Sequence, residues 1–135
     1  MNTLPPAQCV DLLLAQADRL GVEVRWHQPN DTAATHAVYQ APPGRPGLLL
    51  LHAAPPPVGD ANALCTLLTH EMVHVIQHWH GGLQAVLPLG WPTDGGAARH
   101  RQLSAHEAEA FTAQEHPERV LQALRGLTSH AERLD

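Results

Sequence analysis

Apolar and polar positions along the chain change period several times, and each change marks an element. After Pro5 and Pro6, Val10, Leu13, Leu14, Ala17 and Leu20 recur at helical spacing until Gly21 stops the run. Gly21 to His27 then alternates, with Val22, Val24 and Trp26 on one face, the pattern of a half-buried strand. A turn is predicted at residues 28–31 and a second, weaker strand over Thr35 to Gln40. Leu48 to His52 is a short continuous apolar run, read as a buried strand, and the prolines that follow end the sheet because they cannot donate ladder hydrogen bonds.

From Ala61 to about Trp79 there is no glycine or proline, and Asp60 is placed to cap the helix this predicts. Leu64, Cys65, Leu68, Met72, Val75, Ile76 and Trp79 form an apolar stripe too wide for a surface helix. Gly81 and Gly82 close it. Residues 83–96 read as a loop, yet Val86, Leu87, Leu89 and Trp91 make an idle solvent-facing segment improbable: it is either a wall or lid over a site or a plug under the helices. A further helix is predicted from Ala97 to Glu115, and another from Pro117, with Gly126 interrupting it. The sum is one α+β domain over residues 1–135: an N-terminal helix, a short three-stranded sheet, a central helix, a second helix and a C-terminal helix.

Composition narrows the function. The 135 residues are 44% hydrophobic but only 4% aromatic, so aliphatic side chains must build the core. A net charge of −5 lacks the basic stripe of a nucleic-acid surface. No apolar run approaches the roughly 20 residues that span a bilayer, and the N-terminus carries no signal-peptide pattern, so neither membrane nor nucleic acid is an expected partner and a cytoplasmic protein is the expectation. Cys9 and Cys65 are too few for a disulfide framework, and Cys65 reads as a small buried hydrophobe.

The chemistry concentrates in the central helix, in Thr69-His70-Glu71-Met72-Val73-His74. Residues four apart share a helix face, so His70 and His74 can reach one ion. Glu71 lies about 100° round the helix, where its carboxylate can take a proton from water without being a ligand. Eleven histidines make a chance occurrence of the pattern conceivable, but the flanking strand and carboxylate-bearing helix favour the functional reading. Catalytic zinc commonly has three protein ligands and one open position. The third is either Glu107, which stands within the apolar stripe of the following helix, or one of His80, Glu109, His78, His100 and His106.

With His70-Glu71-x-x-His74 followed by Glu107 and Ala110, residues 47–114 resemble the zincin metallopeptidases of the gluzincin type. Phe111 stands where that family often has Asp. His80 has the metzincin spacing instead, but Gln77 occupies the position of that family's glycine and no methionine serves as its Met-turn. The gluzincin resemblance implies a minimal zinc peptidase with His70, His74 and Glu107 as ligands, Glu71 as the base, and a peptide or protein as substrate. It also implies a strand that takes up extended substrate, for which Leu48 to His52 is the nearest candidate. Tyr39, His78, Arg99 and His100 are candidates for steadying the oxyanion, although Tyr39 reads more simply as structural. The alternative is an inactive zincin-like protein that binds metal or peptide in a regulatory role. The histidines at 27, 36, 52, 116 and 130 read as solvated or core-edge residues.

Overall fold

The computed structural model describes residues 4–27, 36–55, 58–93 and 103–129. The expected turn at 28–31, the start of the helix predicted from Ala97, with Arg99 and His100, and the last residues from 130 lie outside them. Among the described residues the chain is α+β: α1 (Pro6–Leu20), β1 (Glu23–Trp26), β2 (His36–Gln40), β3 (Leu48–His52), α2 (Ala61–His80), α3 (Ala105–Ala113) and α4 (Pro117–Arg125). The sheet order is β1-β3-β2, with β1 parallel and β2 antiparallel to β3. This corrects the expectation that Leu48 to His52 takes up a substrate strand. Both edges of β3 are already paired, and β1 and β2 are the edge strands instead.

Alternation gives the sheet two unlike faces. Leu49 and Leu51 are buried and Val24, Trp26, Ala37 and Tyr39 pack against the core, whereas Glu23, Arg25, His36, Val38 and Gln40 point outward and are exposed. The helices cover the inner face, with α2 as the hub: it packs against α1, α3, α4 and β2. Every residue from Leu68 to Trp79 is buried, as expected of a central helix. Its start is capped by Asp60, whose Oδ1 accepts from the N–H of Asn62 at 2.9 Å and of Ala63 at 3.4 Å, a device worth about 1 kcal/mol. Trp79 donates its indole N–H to the Thr128 carbonyl at 2.7 Å, and Arg19 of α1 reaches the Leu124 and Leu127 carbonyls at the end of α4, at 2.8 and 3.0 Å. These bonds tie α1 and α2 to the last helix.

The two cysteines depart from their sequence reading. Both are buried, and they are bonded to each other, joining α1 to α2 across 56 residues of sequence with Cα atoms 5.6 Å apart. Two lone cysteines in separate helices carry no sign of proximity, because the contact arises only from how the helices pack. On the loop-entropy argument such a bridge contributes on the order of 4 kcal/mol. Disulfides persist in oxidising compartments and are reduced in most cytosols, so the fold lends no support to the cytoplasmic expectation. No described helix is long and apolar enough to cross a membrane.

After α2 the chain turns sharply through Gly82 (φ 66°) and Leu83 (φ 65°). A leucine in the left-handed region costs roughly 1–2 kcal/mol. Burial of its side chain offsets this, together with a 2.8 Å bond from its N–H to the His78 carbonyl. The third helix starts later than expected, at Ala105, and ends at Ala113.

Candidate metal centre

The apolar pattern that buries α2 also carries His70, Glu71, His74 and Gln77 inward, so four polar side chains sit in a closely packed region. Buried polar groups need partners, and those found here define the site. One ligand atom from each of His70, His74 and Glu107 lies within 4.8 Å of the others. Glu107 Oε1 stands 3.2 Å from Nε2 of His70 and 3.2 Å from Nε2 of His74. The expected third ligand is thus the one the fold brings to the pair.

The far nitrogen of each ring fixes the chemistry. His74 Nδ1 lies 2.8 Å from Gln77 Oε1, and His70 Nδ1 lies 2.9 Å from Gln114 Oε1. The Gln77 amide can point only one way, since its Nε2 donates to the His106 carbonyl and to Glu109 Oε1, each at 2.9 Å. Amide oxygens only accept, so the His74 Nδ1 carries the hydrogen and, in the neutral ring, its Nε2 presents a bare lone pair; the His70 Nδ1 has an amide partner of the same kind. Burial above all holds the pKa of His74 below the ordinary histidine value, which favours this neutral form. The Nε2 atoms of both rings face the same carboxylate oxygen. Such a donor set suits a divalent cation, and imidazole with carboxylate fits zinc. Among the described residues this is the one group of three whose ligand atoms all lie within 4.8 Å of one another.

Glu71 is buried beside the cluster. Its pKa is pushed up to about 8, by burial first and by the negative charge of Glu107 second, while a hydrogen bond from the Tyr39 backbone N–H pulls the other way. Glu71 is therefore held against β2, one of the sheet's two edge strands. A cavity of about 530 Å³ opens next to it, with His36, Ala37, Leu67, His70, Glu71 and Phe111 in its wall. Phe111, at the position where the resembled family often carries Asp, meets the His70 ring edge-on at 4.6 Å. Gln77 and Gln114 supply the acceptors that such an Asp would provide.

The other candidates are placed elsewhere. Glu109 is buried, accepting from Gln77 and from the backbone N–H groups of Leu89 (2.8 Å), Gly90 (2.6 Å) and Trp91 (3.0 Å). It clamps the loop to α3 and is not a ligand. That clamp fastens residues 89–91 to α3, with Leu89 and Trp91 packed against the core, while none of residues 83–93 lines the cavity beside Glu71. His80 is exposed at the end of α2, because the helix runs straight past Gln77. His106 meets the His74 ring at 5.8 Å but is outside the ligand cluster.

His78 and Tyr39 hold each other. The ring Nε2–H of His78 donates to the carbonyls of Pro42 and Leu83 at 3.1 and 3.0 Å, and its Nδ1 accepts the Tyr39 hydroxyl at 2.7 Å. The Gly47 N–H also donates to that hydroxyl at 3.0 Å. Both side chains are committed to structure, so neither is placed to steady an oxyanion. Sequence reading passed over Gln77 and Gln114 as acceptors. The available signal was their spacing: each is polar and stands about a whole number of turns from a ligand, on a face expected to be buried.

Compared with protein families, with curated proteins and with solved structures, the chain matches none, so the likeness to zincins rests on the residues and the geometry described above.

Proposed function

We propose that the protein is a zinc-dependent peptidase. The observation that carries this reading is the meeting of two imidazole nitrogens and the Glu107 carboxylate beside a buried glutamate that is not one of the three. His70, His74 and Glu107 would hold the ion. When bound, zinc supplies Lewis acidity, lowering the pKa of water and polarising a carbonyl.

The remaining steps belong to the chain's own groups. Glu71 accepts the proton of the attacking water at its carboxylate and returns it to the departing amine. A carboxyl group whose pKa is pushed up to about 8 suits that exchange near neutral pH. Gln77 and Gln114 keep the two rings in the required tautomer. An extended peptide would lie along β2, which of the two edge strands is the one bonded to Glu71. The cavity bounded by Leu67 and Phe111 would receive one of its side chains.

The test is Glu71→Gln, which keeps shape and leaves the ligands in place. Zinc content should be unchanged while hydrolysis of a susceptible peptide falls by roughly 10²–10⁴-fold. Unchanged hydrolysis would remove Glu71 as the base. Zinc-loaded protein with no hydrolysis in either form would favour the regulatory metal- or peptide-binding alternative.

A further inference from the structure

A second group of histidines stands on the outer face of the sheet. His27 follows β1, His52 ends β3 and His36 begins β2, so the three form a row across neighbouring strands. Strand register places them there. His36 is directly opposite His52, and the His27 N–H donates to the Leu51 carbonyl at 2.8 Å, one residue before His52.

The rings of His27 and His52 have centroids 5.2 Å apart and planes crossing at 77°. The corresponding values for His70 and His74 are 5.2 Å and 79°. The pair on the sheet thus has nearly the mutual arrangement of the pair on the helix. His36 lies against His52 with centroids 4.2 Å apart and planes at 15°. The pKa of His52 is held below the ordinary histidine value, by desolvation first and then by His36 and His27, which leaves its lone pair free near neutral pH. The carboxylate of β1 is at the other end of the strand, where Glu23 pairs with Arg25 at 2.7 Å. As they stand, the three rings do not bring one nitrogen each within 4.8 Å of the others, and no carboxylate completes such a group with them among the described residues.

We propose that His27, His36 and His52 form a second, solvent-facing site for a late first-row divalent transition metal, with Cu²⁺ bound more tightly than Zn²⁺. An all-imidazole donor set selects such ions over Mg²⁺ and Ca²⁺, and the general order of affinity puts Cu²⁺ first. His27 and His52, whose planes cross, supply the starting pair. His36 is exposed and joins by turning about its side-chain torsions, since a ring stacked on its neighbour aims its lone pair alongside rather than toward a shared ion. His36 also lines the cavity beside His70 and Glu71, so the two sites share a wall.

The site can be tested without the helix cluster, in a His70→Ala/His74→Ala double variant of the full chain with its disulfide intact. Titration with Cu²⁺ and with Zn²⁺ should show about one equivalent of each bound, Cu²⁺ more tightly, with nitrogen coupling in the Cu²⁺ electron paramagnetic resonance spectrum. Adding His27→Asn and His52→Asn should abolish that equivalent. If the added changes prevent folding, substoichiometric Cu²⁺ should first broaden the NMR signals of residues 27, 36 and 52 in the double variant. No retained equivalent, retention after the added substitutions, or broadening centred elsewhere would overturn the site. None of these outcomes depends on peptidase activity, so this inference and the reading of the helix cluster stand or fall separately.

Discussion

The pair His70–His74 and the pair His27–His52 have almost the same ring geometry and very different surroundings. On α2 both rings are buried and each Nδ1 has an amide oxygen to bond, and one of those amides is fixed in turn by Glu109 and the loop at residues 89–91. On the sheet, His27 and His52 have no hydrogen-bonded acceptor among the described residues. Preorganisation separates the two: the helix pair is aimed before an ion arrives, whereas the sheet pair must be ordered by the ion. Tight, selective binding is the expectation for the first and weaker, exchangeable binding for the second.

The sharpest way to break this comparison is His74→Ala. Without that ring two donors remain, and Gln77 loses the group it positions. Zinc should no longer co-purify or be retained through dialysis, and peptide hydrolysis should fall to background. Metal analysis and a peptide assay check both. Stoichiometric zinc in a variant that has also lost the sheet histidines would mean that the helix cluster is not the metal centre.

The next effect is on stability. Replacing Cys9 and Cys65 by serine should cost on the order of 4 kcal/mol in denaturant unfolding, because the bridge closes a loop spanning 56 residues of sequence. The bridge sits about a turn and a half before His70 on α2, so a reduced protein should also hold zinc less firmly. The sheet row should keep its Cu²⁺ affinity as long as the chain stays folded. Equal losses at both sites would show that the disulfide braces the whole domain and not α2 in particular.

What the chain disclosed in advance divides along the same line. Contacts fixed by local period were legible: His70 and His74 share a face because they are four apart, and α2 reads as central because its apolar stripe is too wide for a surface. Glu107 was legible because a carboxylate in an apolar stripe needs a reason to be there. The pairing of Cys9 with Cys65, the central position of β3 and the stacking of His36 on His52 depend on how distant segments pack, and no local pattern encodes them. Gln77 lies between these cases. Its place on the helix was known, but its partners at Glu109 and His106 come from α3. Gln77 is the joint between His74 and the loop that Glu109 holds.

That joint sets the third prediction. Gln77→Leu keeps volume and helix propensity but takes the acceptor from His74 and one donor from Glu109. Zinc affinity or turnover should fall by about 10–100-fold, the usual cost of losing a group that orients a metal ligand. Competition against a fluorescent chelator measures it. Gln77 has no bond to the sheet row, so Cu²⁺ binding there should be unaffected. An unchanged zinc affinity would mean that burial alone orients His74.

The smallest effect concerns His78, the extreme of the buried kind, with none of its surface exposed. Its pKa is lowered from the ordinary 6.5 by desolvation, and the bonds to the Leu83 and Pro42 carbonyls only partly offset this. A histidine whose folded pKa lies below its unfolded value contributes stability that is fully present above the unfolded pKa and is lost as pH falls through the folded one. The structural cause is specific. Protonation puts a hydrogen on Nδ1, where the Tyr39 hydroxyl now donates. The hydroxyl already accepts from the Gly47 N–H, so after turning to accept a second bond its own hydrogen would be left without a partner in a largely buried place. Melting temperature should therefore fall between pH 7.5 and pH 5.5, and the fall should be smaller in His78→Gln, which cannot take up the proton. His74 shares the direction of shift and remains in both proteins, so the difference between the two slopes isolates His78. Equal slopes would assign the acid sensitivity to other histidines, with the exposed row on the sheet as the first to examine.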